Sequence, residues 1–329
     1  MKGKMLKVGL TYDLREDYLR EGYSHEETAE FDKEDTILAL EEAVRNAGHN
    51  PVRIGHVRRL VEALATGERW DLVFNIAEGL HGLAREAQVP SLLDAYDIPY
   101  VFSDGLVLAL TLQKAFTKRI IRDAGLPTAD FFELRSLDQL QEIHLPYPLF
   151  AKPVAEGTGK GISGKSKISS EEELQDVCSD LLRTFNQPVL IETYLPGREF
   201  TVGVVGTGSK ARTTGIMEVH FVTDHDQSIY SLENKENYEQ YMRYSVPEKA
   251  VSEACFKLAL GVWDVLGCRD GGRIDIRLDE NGVPNFIEVN PLAGLHPVHS
   301  DLPMLSRMNG ISYQELIEMI LESAITRLQ

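Results

Sequence analysis

The stretch from Gly272 to Asn290 constrains this chain most. Two alternating runs flank Asn281-Gly282, a dipeptide that favours a two-residue hairpin turn because both residues tolerate a positive φ. A turn centred there sets Asp275 opposite Glu288 and Arg273 opposite Asn290. Side chains alternate faces along a strand, so these four share one face. Ile274, Ile276, Ile287 and Val289 then share the other, apolar face. Two carboxylates directly across from each other repel, and a divalent cation between them removes the repulsion. Asp, Glu and Asn offer the hard oxygens that suit Mg²⁺, an ion that takes few protein ligands and leaves room for substrate phosphates. The alternative at this point is a solvated hairpin face on which Arg273 makes a salt bridge.

The chain of 329 residues has room for two or three domains, and at 43% hydrophobic it can bury sizeable cores. Its formal net charge of −17 and lack of a long basic run argue against nucleic acid as the main partner. Local lysines can still hold anionic ligands. Cys178, Cys255 and Cys268 are odd in number, widely spaced and without a CxxC pair. That argues against a disulfide or metal framework and for a reduced, cytoplasmic setting. Met1 to Leu10 reads as a first strand rather than a signal peptide, and no window is long enough to span a membrane.

The first hundred residues alternate. Strands are expected at Leu6–Tyr12, Val52–Ile54, Asp71–Ile76 and Ile98–Phe102, and helices at Asp32–Ala47, Val57–Ala65 and Arg85–Tyr96. Such alternation predicts a parallel sheet with helices on both faces. Ligands of these sheets lie beyond the carboxyl ends of the strands. That directs attention to the loops after Tyr12 and Ile76, the second of which holds Asn75, Glu78 and His81. The acidic stretch Glu16–Glu34 interrupts the first strand-to-helix step and is either functional or mobile. A long helix then starts at Ser103 or Asp104, carries Lys114 and Lys118, and ends at Gly125 and Pro127.

Lys152 stands in an apolar strand, Tyr147–Val154, where a lysine needs a partner such as a phosphate. The following Glu156-Gly157-Thr158-Gly159-Lys160-Gly161-Ile162-Ser163-Gly164-Lys165-Ser166 contains two short patterns. Gly159 to Ser166 fits the P-loop, and Gly159, Gly161 and Gly164 fit the dinucleotide fingerprint. Both require a helix that begins at the glycines. Here the capping box is later, at Ser169 and Glu172, and Gly164–Ile168 reads as a strand. The segment is therefore expected to be a strand–glycine loop–strand hairpin whose bare amides can cradle phosphates; a plain flexible turn is the alternative. Strands follow at Val189–Leu195, Phe200–Val205 and Ala211–Phe221, with a polar loop at Thr223–Tyr244 and a helix from Pro247 to Leu266. A Gly/Pro-rich loop runs from Asn290 to Pro303, and Ser312 with Glu315 caps a terminal helix.

Taken together, Leu112-Gln113-Lys114, Ala151-Lys152-Pro153 with the glycine loop, Ile191-Glu192 to Glu199-Phe200-Thr201, Gly272-Arg273-Ile274-Asp275 and Glu288-Val289-Asn290 resemble the ATP-grasp superfamily. Within it they are similar to the D-alanine–D-alanine ligases, over nearly the whole chain. The resemblance implies an α/β ATP-grasp fold. Residues 1–103 would form a Rossmann-like domain, 104–196 a central domain with the glycine loop, and 197–329 a domain with the metal site. It implies ATP and two Mg²⁺ ions (or Mn²⁺) as cofactors, amino acids as substrates, and a homodimer.

Site roles are carried over in the same way. Lys114, Lys152 and Lys235 would bind phosphates, with Gly157, Thr158 and Gly159 in the phosphate loop. Glu192, Thr193 and Leu195 would line the adenine site, and Glu199 would hold the ribose. Asp275, Glu288 and Asn290 would hold the metal ions. Arg273 and Gly294 would face the reacting carboxylate, and His81 would lie near the first amino acid. The implied reaction is ATP-dependent formation of D-alanyl-D-alanine through an acyl phosphate.

Three departures from the family pattern are visible. Thr11–Glu16 with the acidic insert replaces a glycine-rich turn, so Glu26, Glu27, Glu30 or Glu34 is left to bind the first amine. Glu236 stands where the family has tyrosine, and Thr158 where it has serine. Asn290-Pro291-Leu292-Ala293-Gly294 differs from the family's loop and has one added residue before Ser300. These departures favour a second reading, a ligase for another amino acid or peptide. A non-catalytic nucleotide-binding regulator and a P-loop enzyme are the readings from other classes.

Overall fold

The computed structural model describes residues 4–25, 27–157, 159–221 and 242–328. Thr158, Lys235, Glu26 and Glu236 lie outside the described residues.

Strands β1 (Lys7–Thr11), β2 (Asn50–Gly55), β3 (Leu72–Asn75) and β4 (Tyr100–Val101) form the first sheet. Its order is β2-β1-β3-β4 and every pairing is parallel. Val8, Leu10, Leu72, Val73 and Phe74 are fully buried, as strands covered on both faces must be. The acidic connection is folded rather than loose. It makes a short helix α1 (Arg15–Arg20) and returns so that Leu14 bridges Asp32. Helices α2 (Glu34–Asn46), α3 (Val57–Ala65) and α4 (Gln88–Ala95) complete the layer.

The long helix expected after Asp104 is two helices, α5 (Gly105–Leu112) and α6 (Lys114–Asp123), broken at Gln113. Asp104, not Ser103, caps the first by accepting from the Val107 amide at 3.0 Å. The second sheet contains β5 (Phe131–Leu134), β6 (Leu149–Pro153), β7 (Lys167–Ile168) and β8 (Val189–Thr193) in the antiparallel order β5-β8-β6-β7. Gly164–Ser166 is a single 3₁₀ turn before β7. The helix that packs on this sheet, α7 (Glu171–Phe185), is capped by Ser170, one residue later than the spacing predicts. Neither glycine pattern therefore opens a helix, and both short motifs lose their structural context.

The third sheet is β11-β10-β9-β12-β13, from β9 (Glu199–Val205), β10 (Arg212–Phe221), β11 (Met242–Ser245), β12 (Gly271–Leu278) and β13 (Pro284–Asn290). Helix α8 (Lys249–Leu266) buries Trp263 and Val262 against it. Helix α9 (Asp301–Met308) follows the Gly/Pro-rich loop. The last helix, α10 (Tyr313–Arg327), returns to the first sheet: Leu316, Ile317, Ile320 and Leu321 share one core with Leu10, Ile37 and Leu40. Leu292, Ala293 and Leu295 of the loop after β13 join that core. The chain thus ties the end of the β12–β13 hairpin to the parallel sheet.

The hairpin register is met where it matters, but by a different route. The turn is longer than Asn281-Gly282: Leu278 pairs with Pro284, and the Asp279 amide donates to the Val283 carbonyl at 3.0 Å. Gly282 takes a φ of +76° there, which a glycine adopts without strain. The Asp279 carboxylate accepts from the amides of Asn281 and Val283 at 2.8 and 2.9 Å. A bulge between Asp275 and Ile276 then restores the register, so Ile276 pairs with Phe286 while Asp275 pairs with Glu288. The apolar face is consequently Ile274, Ile276, Phe286 and Val289. Ile287, expected on that face, lines the ligand slot instead.

Candidate active site

The hairpin face gathers the expected group. Arg273 donates to Asp275 and lies 3.6 Å from Asp301. Thr201 on the neighbouring strand β9 donates to the other oxygen of Asp275 at 3.0 Å. The Asn290 amide lies 3.3 Å from both terminal nitrogens of Arg273, and with its oxygen turned inward it accepts from them. Burial works against the charge on Arg273, but Asp275, Asp301 and Glu288 outweigh it and hold the guanidinium firmly protonated. Two carboxylates and an amide oxygen on one rigid face are a donor set suited to Mg²⁺. Among the described residues no group of three His, Cys, Asp or Glu side chains converges as a metal site. An ion here would therefore use Asp275, Glu288, Asn290 and oxygens from a bound phosphate.

The break at Gln113 aims Lys114 at this face. The Lys114 amide donates to the Val154 carbonyl at 3.2 Å. Its ammonium reaches the Glu156 carbonyl and lies 3.5 Å from Glu288. Lys152 on β6 is 4% exposed and pairs with Glu192 on β8 at 2.8 Å. Lys118 is fully buried and donates to the other oxygen of the same carboxylate. Burial alone would raise the Glu192 carboxyl, but Lys118 and Lys152 together hold it at about 2. Burial lowers Lys118, whereas Glu192, Glu288 and Glu199 outweigh the same penalty at Lys152 and raise it.

A slot between the second and third sheets is lined by Phe150, Ile162, Leu195 and Ile287 on its apolar sides. Glu192, Thr193 and Glu199 edge it, and the buried Thr193 hydroxyl has no hydrogen-bond partner among the described residues. Flat apolar walls, an orphaned hydroxyl and lysines at one end fit a nucleotide. Arg277, one alternation beyond Asp275, pairs with Glu199 at 3.2 Å and also lines the slot. Its period-two spacing from Arg273 and Asp275 was the available signal for it. Lys160 of the glycine segment lines the slot as well and lies 3.8 Å from Glu30.

The slot opens at Lys114, Glu156 and Glu288 into a cavity of about 870 Å³. Arg273, Asn290, Gly294 and Ser300 line its hairpin side. Glu30, Asp32, Glu78 and Glu86 add an acidic wall. Of the glutamates considered for a first amine, Glu30 alone among the described ones reaches the cavity. It is held by Arg85 at 2.9 Å and by the Gly157 amide at 3.1 Å. A Cβ on Gly157 would fall 2.6 Å from the Glu30 carboxylate, so glycine is needed for that approach. Glu27 folds back on Ser24, and Glu34 pairs with Arg53 at 2.7 Å. His81 is exposed and outside the cavity lining, with its ring 6.3 Å from that of Tyr23.

Comparison with known proteins converges on one family. A family profile described as "D-ala D-ala ligase C-terminus" matches residues 120–322. A D-alanine–D-alanine ligase of Bordetella avium is 32% identical over 256 residues, 76% of this chain and 78% of that one. The chain belongs to the D-alanine–D-alanine ligase family. Solved structures of that family share its fold. A D-alanine–D-alanine ligase from Bacillus anthracis complexed with ATP matches with a TM-score of 0.71 at 23% identity, covering 98% of both chains. The VanG D-Ala:D-Ser ligase from Enterococcus faecalis matches with a TM-score of 0.74 at 18% identity, covering 98% of this chain and all of that one. The architecture is accordingly the ATP-grasp fold that the sequence resemblance implies, with the slot between the second and third sheets as its cleft.

Proposed function

We propose that the protein is an ATP-dependent ligase that joins an amino acid carboxylate to a second amine through an acyl phosphate. Its relatives' names make D-alanyl-D-alanine, ADP and phosphate the default products. One observation carries this reading: the slot with Lys152 and Lys114 meets the larger cavity at Glu288, beside Arg273. A nucleotide in the slot would present its terminal phosphate at that junction.

A carboxylate resists an amine because it is anionic and lacks a good leaving group. Its oxygen attacks the terminal phosphorus, the bond to ADP breaks, and the resulting acyl phosphate carries phosphate as leaving group. Transfer of this kind gains chiefly from positioning and charge neutralisation. Lys114 and Lys152 supply positive charge, and the amide at Gly159 can donate to a phosphate oxygen. A divalent ion on Asp275, Glu288 and Asn290 would neutralise further phosphate charge as a Lewis acid. Arg273 is aimed to bind the carboxylate and then the oxyanion when the amine, having lost its proton, attacks the acyl carbon. Expulsion of phosphate leaves the peptide bond. Phosphate binding by Thr158 and Lys235, a homodimer, two Mg²⁺ ions and a cytoplasmic setting complete the reading.

The test is an isotope transfer. With D-alanine labelled by ¹⁸O in its carboxylate, one ¹⁸O per turnover should appear in the released phosphate. Phosphate released without label would contradict the acyl phosphate. A second reading, a different amino acid in the cavity, is favoured by the acidic wall of Asp32, Glu78 and Glu86.

A further inference from the structure

The acidic wall of Asp32, Glu78 and Glu86 holds more carboxyl groups than the protein's cations pair with. Glu78 follows β3, Glu86 lies in the 3₁₀ turn Arg85–Ala87, and Asp32 ends the acidic connection. All three line the cavity together with Glu30. The nearby Arg85 is committed: it pairs with Glu30 at 2.9 Å and donates to the Ala155 carbonyl at 3.2 Å. Arg15, another cation on the cavity, donates to the carbonyls of Thr28 and Ala29. Arg85 and Lys114 act on Glu86 without pairing with it, Lys33 lines the cavity as well, and Arg273 is held by Asp275. Glu78 and Glu86 have neither a hydrogen bond nor an ion pair among the described residues. Burial raises the carboxyls of Asp32 and Glu86 to about 7. Burial also raises Glu78, and Glu86 and Glu30 push it up further. Carboxylates so placed gain from any ligand that brings positive charge.

An α-amino acid with an uncharged side chain brings one ammonium and leaves most of this wall uncompensated. We propose that the amino acid on this side of the cavity is a diamino acid, its two ammonium groups shared among Asp32, Glu78 and Glu86 and its carboxylate directed to Arg273. The proposal rests on the ligase reading above and names its substrate class.

The experiment compares charged substrates with isosteric neutral ones. Phosphate release from ATP and Mg²⁺ is measured with the full-length protein and both enantiomers of 2,4-diaminobutyrate, ornithine and lysine. Norvaline, norleucine, 2-aminoheptanoate and alanine serve as controls. At least one diamino acid is expected to exceed its neutral isostere in kcat/KM by about tenfold or more, the scale of one good ionic contact. In Glu78→Gln/Glu86→Gln that ratio should fall toward one, carried mainly by KM, while Glu86→Asp should retain the preference. Turnover of alanine and the neutral isosteres without a diamino preference would overturn this proposal and leave the ligase reading standing. Absence of phosphate release with every amino acid would overturn both. If the double variant does not fold, the isostere ratios of the unaltered protein still decide.

Discussion

Asp275 faces Glu288 across β12 and β13 because two one-residue offsets cancel. The turn carries one residue more than the Asn-Gly pair suggests, and the bulge at Ile287 takes that shift back. Without the bulge, a one-residue slip would turn one of the two carboxylates to the apolar face. The same bulge brings Ile287 to the slot between the second and third sheets while Phe286 fills the core behind it.

Neighbouring apolar residues should therefore behave differently. Phe286→Ala should destabilise the protein by about 3–5 kcal/mol, as truncation of a buried aromatic does. Ile287→Ala should cost much less stability and instead weaken ATP binding. Denaturant titration and an ATP-binding isotherm on both variants check this; equal stability losses would contradict the bulge.

Glu288→Gln keeps the shape of the hairpin face and removes one of its two opposed charges. Turnover should fall by about a hundredfold or more, in line with loss of a major electrostatic contact to the transition state. Steady-state phosphate release as a function of Mg²⁺ concentration measures it. Activity near the unaltered level would remove Glu288 from the metal site.

Lys152→Ala should weaken ATP binding by about tenfold or more, because a buried lysine at the end of the slot is lost. Lys165, the lysine of the P-loop pattern, is exposed in the single turn before β7. Lys165→Ala should therefore change ATP affinity little. The reverse order in a binding titration would favour a P-loop reading.

Glu192 couples stability to pH. Its folded carboxyl is held at about 2, below the ordinary value of 4.5, because Lys118 and Lys152 outweigh the cost of burial. A depressed carboxyl stabilises the fold above its unfolded value and loses that contribution as pH falls through the folded one. Glu192→Gln should thus cost a few kcal/mol at neutral pH. The gap between variant and unaltered protein should narrow from about pH 4.5 down to about pH 2. Denaturation curves at several pH values test it; a constant gap would contradict the linkage.

Much of the site was readable before any coordinates. Arg273, Asp275, Glu288 and Asn290 follow from alternation and a turn signal, both local properties of the sequence. The parallel sheet follows from the alternation of short apolar strands with amphipathic helices. The break at Gln113 was not readable, because Leu112-Gln113-Lys114 continues a good helical pattern and only the contact of the Lys114 amide with Val154 reveals the kink. Nor was the pairing of Lys118 and Lys152 on one carboxylate, which joins residues from α6, β6 and β8. The unpaired wall of Glu78 and Glu86 depends on where Arg85 spends its hydrogen bonds, a fact of packing that spacing does not carry. β5 and β11 escaped prediction because Phe131–Leu134 and Met242–Ser245 are too short to show a period.

The central claim is that ATP is spent on joining amino acids. The direct measurement is phosphate release from ATP and Mg²⁺ across D- and L-amino acids, singly and in pairs, with the product mass recorded. The account predicts release that depends on an added amino acid and a product whose mass is that of two amino acids less one water. Tight ATP binding with no amino-acid-dependent release would contradict it and would make the protein a nucleotide-binding regulator.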